Sequence, residues 1–238
     1  MMSTLPGSAA AGPLLRCRDL SRVFGSGRTT RVAVDSVSAD IDRGARIALT
    51  GPSGSGKSSL IHLFAALDAP SAGHISWPGL GADPRRDRTR IGVVFQAPSL
   101  IPALDVTENV ALPQVLAGHS DTTARARART ALARLGLEPL AGRLPEELSG
   151  GQAHRVALAR VLAGTARLVL ADELTGQLDH RTGAEVLDVL FETVDMLGAA
   201  LVVSTHDDTV AGRCPVRWSM RGGRLQIRSP TTPVPPTP

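Results

Sequence analysis

Apolar residues along this chain fall into two kinds of run. Ala45 to Leu49, broken only by Arg46, has the continuous apolar character of a buried strand. Leu60-Ile61-His62-Leu63-Phe64-Ala65-Ala66-Leu67 follows it and reads as a helix. Ile91 to Phe95, Leu168 to Ala171 and Ala200 to Ser204 are further buried strands. Val186, Leu187, Leu190, Val194 and Leu197 form a helical stripe between the last two. Apolar strands that alternate with helices imply a parallel sheet covered on both faces, an α/β fold. Other strands are half-buried. Val32 to Ile41 alternates apolar and polar, as an antiparallel strand does. His74-Ile75-Ser76-Trp77 is a short strand, and Val216 to Ile227 folds back as a hairpin about Gly222-Gly223.

Between Val106 and Leu148 the segments are helical and no strand pattern is evident. Asp105 or Thr107 caps the first helix, which bends at Pro113. Ser120 or Asp121 caps the second, whose buried face carries Ala124, Ala128, Leu132 and Leu135, and Gly136 ends it. This is an all-helical insertion, about 97–152, in one α/β domain spanning 14–228. The run Arg85-Arg86-Asp87-Arg88 reads as a solvated loop. Residues 1–13 are a Gly/Ala/Pro/Ser tail expected to be disordered, and 229–238 is a Pro/Thr-rich extended tail.

Composition narrows the class. Of 238 residues 42% are hydrophobic and 20% charged, as in a globular protein. No apolar run approaches the ~20 residues of a membrane span. The N-terminus lacks the cationic start and apolar core of a signal peptide, so a cytoplasmic protein is expected. The pI near 10.3 is misleading, because the formal charge is only +4. With no tyrosine and a single lysine, little titrates between cysteine and arginine, and a small arginine excess carries the pI upward. The arginines are scattered, so no nucleic-acid partner is expected. Cys17 and Cys214 make neither a metal pattern nor a disulfide framework and read as free thiols.

The chemistry begins where the first apolar strand ends, in Thr50-Gly51-Pro52-Ser53-Gly54-Ser55-Gly56-Lys57-Ser58-Ser59. A strand, a glycine-rich loop, Gly-Lys-Ser and a helix are what a P-loop needs. Backbone amides wrap a phosphate, the helix N-terminus adds partial positive charge, Lys57 reaches the β- and γ-phosphates and Ser58 ligates Mg²⁺. Lys57 is the chain's one lysine; every other cation among the 26 is arginine. A planar guanidinium does not fit the same cradle. Leu168 to Glu173 is an apolar strand ending in two carboxylates. Asp172 suits the Mg²⁺ shell, and Glu173 suits polarising an attacking water. Leu148-Ser149-Gly150-Gly151-Gln152 opens the helix Ala153 to Ala163, a second hydroxyl-and-glycine helix start suited to an anion.

From about Leu14 to Arg228 the chain resembles an ATP-binding cassette (ABC) ATPase subunit. The resemblance rests on six motifs in order: the Walker A loop 51–58, Gln96, the signature Leu148 to Gln152, Walker B at 168–173, Leu178-Asp179 and His206. It implies a P-loop NTPase fold with a mixed sheet, an antiparallel β subdomain and the inserted helical subdomain. It implies ATP and Mg²⁺ as ligands, with Ser58, Gln96 and Asp172 around the metal. Glu173 becomes the general base, His206 a γ-phosphate contact and Phe24 an adenine-stacking aromatic. Two such domains pair head to tail, so that Ser149, Gly150, Gly151 and Gln152 of one complete the phosphate cage of the other, and Asp179 links the sites. A homodimer or a paralogous heterodimer follows. Leu174 stands where the family usually has proline, which should loosen the turn after Glu173, and Ser59 replaces a common threonine. The segment Ala97 to Val110, with Asn109 to Pro113 and Ala171 to Gly176, most resembles the lipoprotein-release and macrolide-export branch. That implies a peripheral ATPase on the cytoplasmic face of the membrane, powering export through separate permease subunits docked between Gln96 and Ser149. A cell-envelope or cell-division machine driven through a membrane partner is the alternative. A soluble nucleic-acid or translation ATPase is a third reading, against which stand the single cassette and the lack of a heptad run.

Overall fold

The computed structural model describes residues 12–228 apart from 82 and 177. The expected tails therefore lie almost wholly outside the described residues. Nine strands form two sheets among them. β3 (Arg46–Thr50) lies inside the larger one, whose order is β5 (Ile91–Val94), β6 (Leu168–Asp172), β7 (Ala200–Ser204), β3, β8 (Val216–Arg221) and β9 (Arg224–Arg228). All pairings are parallel except the β8–β9 hairpin, so this sheet is mixed. Gly222 and Gly223 both have positive φ, as a tight two-residue hairpin turn requires. The smaller sheet is antiparallel: β1 (Leu15–Phe24) lies between β2 (Arg31–Ile41) and β4 (Ala72–Ser76).

Alternate residues of β3, β6 and β7 enter different cores, because successive strand residues face opposite ways. Ile47, Leu49, Leu168, Leu170, Ala200 and Val202 pack toward α1 (Lys57–Phe64) and the small sheet. Ala48, Val169, Ala171, Leu201 and Val203 pack toward α4 (Gly150–Leu162) and α5 (His180–Leu197). Phe64 and Trp218 meet edge-on at 6.2 Å in the first core, a contact adding about 1 kcal/mol beyond burial. The helical insertion is α2 (Val106–Leu116) and α3 (Asp121–Arg134), with short 3₁₀ turns after them. Asp105 rather than Thr107 caps α2, because Glu108 returns a bond to the Asp105 amide and closes a capping box. The Thr107 hydroxyl instead donates to the Ala141 carbonyl at 2.9 Å. Ser120 caps α3, and Ala124, Ala128 and Leu132 are buried as the stripe predicts. α2 runs through Pro113 for three more residues. The arginine-rich loop is less loose than its charge implies: Asp87 accepts from the Thr89 amide, and Arg88 donates to the Ala66 carbonyl at 3.2 Å. α6 (Asp208–Gly212) completes the chain's helices among the described residues.

Candidate functional site

Parallel strands put their carboxyl ends on one edge, where α/β sheets present their ligand sites. β3 leads there into the glycine loop, β6 into Asp172-Glu173 and β7 into Thr205-His206. The loop curls because its glycines take backbone forms closed to other residues. Gly51 has φ +146, and a Cβ there would sit 2.2 Å from the Met220 carbonyl oxygen. At Gly56, the N-cap of α1, a Cβ would sit 2.0 Å from the Ala33 oxygen. Ser55 Oγ is buried with no partner among the described residues. An orphaned hydroxyl inside a ring of amides at a helix start fits a phosphate group.

Lys57 points back into that ring and is 4% exposed. Its Nζ donates to the carbonyls of Gly51 at 3.0 Å and Pro52 at 3.2 Å and lies 3.0 Å from Glu173 Oε1. The structure thus brings the Walker A lysine and the second Walker B carboxylate into contact. Asp172, buried on the strand before, accepts from the Ser204 hydroxyl at 2.5 Å. Glu173 has φ +44, in the left-handed region that residues with a Cβ rarely enter. Leu174 is only 2% exposed and sits in the core, so side-chain packing, rather than proline's fixed φ, holds this turn. Ser58, Gln96 and Asp172 supply a hydroxyl, an amide oxygen and one carboxylate. That set fits Mg²⁺, which takes few protein oxygens and shares its shell with phosphate and water.

Gln96 is exposed, and its Nε2 would lie 3.3 Å from a Cβ at Gly176, in the turn after Glu173. His206 is exposed at the end of β7. Phe24 is 41% exposed and carries the Arg22 guanidinium 4.5 Å over its ring, so it is not a core residue. It pairs with Arg31, whose guanidinium reaches the Gly54 carbonyl at 3.5 Å, and this places the aromatic on the strand bordering the loop.

The signature forms a separate corner. Ser149 Oγ accepts from the Gln152 amide at 3.3 Å, and Gln152 returns a bond to the Ser149 amide at 2.9 Å. This box starts α4 at Gly150, three residues ahead of the apolar stripe. It leaves the Ser149 proton free to donate outward from an exposed position. A Cβ at Gly151 would meet Thr182 at 2.5 Å, so the signature packs on the start of α5. Asp179 caps that helix, accepting from the Thr182 amide at 3.0 Å and its hydroxyl at 2.7 Å. Those bonds, the amide's first, hold its carboxyl below the usual range. Buried His154 ties this corner to the other: its ring nitrogens lie 2.9 Å from the Gly150 oxygen and 3.0 Å from the Gln96 oxygen. Neither His154 nor Ser204 stands out in the sequence. The only signal is a polar residue inside, or closing, an apolar run.

A family model described as ABC transporter matches residues 34–176. The chain is 40% identical over 220 residues to an uncharacterised ABC transporter ATP-binding protein of Mycobacterium tuberculosis, covering 90% of this chain and 89% of the relative. It is 37% identical to the lipoprotein-releasing system ATP-binding protein LolD of Shewanella oneidensis, covering 90% and 96%. It is 40% identical to the macrolide export ATP-binding/permease protein MacB of Rhodopseudomonas palustris, of which it spans 35%. Among solved structures, a dimeric ATP-binding cassette in a post-hydrolysis state with ADP and Pi matches at TM-score 0.77 and 33% identity, covering 90% of this chain and 98% of that one.

Proposed function

This chain belongs to the ABC transporter family, and on that footing we propose that it is one half of a head-to-tail homodimer driving export or extrusion through a separate membrane partner. It is the ATPase subunit of such a system. The observation that carries the hydrolytic reading is the meeting of Lys57 and Glu173 at the carboxyl ends of β3 and β6.

In this reading the loop amides and Lys57 hold the phosphates, and the Phe24 ring stacks on adenine opposite Arg22. Ser58, Gln96 and Asp172 would hold Mg²⁺, whose charge would help neutralise the phosphate oxygens. Phosphate oxygens compete for Lys57, so Glu173 leaves the ammonium and becomes available to take a proton from the attacking water. His206 steadies the γ-phosphate. One subunit's loop is then closed by the outward-facing Ser149 hydroxyl of the partner subunit, and Asp179 joins the two sites.

The membrane reading is supported by a largely apolar groove of roughly 400 Å³ bounded by the end of α1, the 84–89 loop, β5, α2 and α4, with Arg86, Arg88 and Arg160 among its walls. Leu67, Phe95, Leu112 and Leu116 line it, and Leu116 is 78% exposed. A solvent-facing apolar groove fits a short apolar helix of a permease, seated beside Gln96. No helix among the described residues is long and apolar enough to cross a membrane. We place the chain peripherally on the cytoplasmic face. Purification from detergent-solubilised membranes tests this: a membrane protein of few spans should come with it. Recovery only with ribosomes or DNA would overturn the transport reading.

A further inference from the structure

β7 is apolar until its last residue. Ala200, Leu201, Val202 and Val203 are buried in the two cores, and Ser204 is 1% exposed. A hydroxyl there has to find partners or cost stability. Strand register decides which. Ser204 pairs with Asp172 on β6 and with Leu49, two residues before the glycine loop, on β3. Alternation puts its side chain on the face shared with Ala200 and Val202, which is the face of α1 and the loop. It therefore lies between the strand that carries the phosphate loop and the strand that carries the carboxylates.

Its single proton and its lone pairs are used on two different groups. The hydroxyl donates to Asp172 Oδ1 at 2.5 Å and accepts from the Glu173 amide at 3.0 Å. The same amide also reaches the Ser204 carbonyl at 3.3 Å. With Oδ1 held, the Asp172 carboxylate is fixed in rotation, and Oδ2 is left for a cation or its water. With its amide held, Glu173 keeps the left-handed turn that aims its carboxylate at Lys57. An alanine would leave Asp172 Oδ1 without its donor and the Glu173 amide with only the longer bond to the strand carbonyl.

We propose that Ser204 is a positioning residue of the hydrolytic centre, setting the Asp172 carboxylate for the metal and the Glu173 backbone for the base through one hydroxyl. The proposal rests on the roles assigned above to Asp172 and Glu173. Its test uses Mn²⁺ as probe: paramagnetic-resonance titration of the metal onto the full chain with a non-hydrolysable ATP analogue, beside steady-state ATPase rates and nucleotide binding in EDTA. Ser204→Ala should weaken Mn²⁺ binding and lower kcat, each by roughly tenfold or more, as loss of a ligand-orienting partner does. Nucleotide affinity in EDTA should stay within about twofold of wild type, because the phosphate loop is untouched. Ser204→Cys, similar in size but a weak donor, should follow alanine; Ser204→Thr, which keeps the hydroxyl, should recover most of both effects. Wild-type Mn²⁺ affinity and kcat in Ser204→Ala, or threonine no better than alanine, would overturn it. Asp172→Asn separates the two layers. If it keeps wild-type Mn²⁺ affinity, the metal assignment itself is wrong; if it loses the metal while Ser204→Ala does not, only the role of Ser204 falls.

Discussion

The Lys57 ammonium and the Glu173 carboxylate are ion-paired at 3.0 Å, with the lysine 4% and the glutamate 25% exposed. Two loop carbonyls, of Gly51 and Pro52, complete the ammonium's set of acceptors. An arriving phosphate has to win the ammonium from all three. In the proposed reading, the pair sets a competition between nucleotide and Glu173 for the ammonium.

Removing the charge of one competitor should shift that balance. Glu173→Gln is expected to bind ATP in EDTA about threefold tighter than wild type, a change of about 0.65 kcal/mol. Lys57→Arg should bind at least about tenfold weaker, because the planar fork does not fill the same cradle. Fluorescent-nucleotide titration reads both. Unchanged affinity in Lys57→Arg would remove the lysine from the phosphate site.

The two thiols should be silent in the folded protein. Burial pushes Cys17 and Cys214 each up to about 11, so little thiolate exists near neutral pH. Disulfide-exchange labelling at pH 8 should modify neither within minutes in buffer and both at once in denaturant. Fast labelling in buffer would mean that a core around one of them opens readily.

Acid should destabilise the fold in a defined direction. Asp40 is held below the usual carboxylate range first by its bond from Arg18, Asp87 by the Thr89 hydroxyl and Asp207 by the Thr209 amide. With folded values below unfolded ones, the unfolded chain takes up protons first as pH falls. The stability is complete above the unfolded value of about 3.9 and is lost as pH drops through the lower folded values. Thermal midpoints should be level from pH 7 to 5 and fall steeply below 4, and Asp40→Asn should reduce the fall.

Buried His154 joins the signature helix to the Gln96 backbone. His154→Ala leaves the Gln96 carbonyl without that partner and should cost about 1–3 kcal/mol in urea unfolding. His154→Gln keeps an N–H donor and should cost less. Equal losses would show that the ring's packing, not the bond, matters.

Much of this site was legible because its chemistry is local. Glycines, lysine and serine of one loop, and two carboxylates ending one strand, are neighbours in sequence. The contacts between them were not, because register and strand order decide them. Nothing near Ser204 in the chain marks it, yet β7 lies between β6 and β3 and so sets it against Asp172. The choice of Asp105 over Thr107 as a cap turned on a reciprocal bond from Glu108. Leu174 looked like the loss of a rigid proline, and only the packed structure shows that its side chain is buried in the core. Phe24 could have been core or ligand contact from sequence, and its exposed ring beneath Arg22 rules out the first.

The central claim is that Lys57 holds ATP in half a site, which the Ser149 of a second copy must close. Light scattering of Glu173→Gln with saturating ATP tests it, because turnover should fall by about 10²-fold or more and leave the closed form trapped. The account predicts a monomer without ATP, a dimer with ATP, and a monomer again when Ser149→Arg is added to the same chain. A chain that stays monomeric at saturating ATP, or a dimer indifferent to Ser149→Arg, would contradict it.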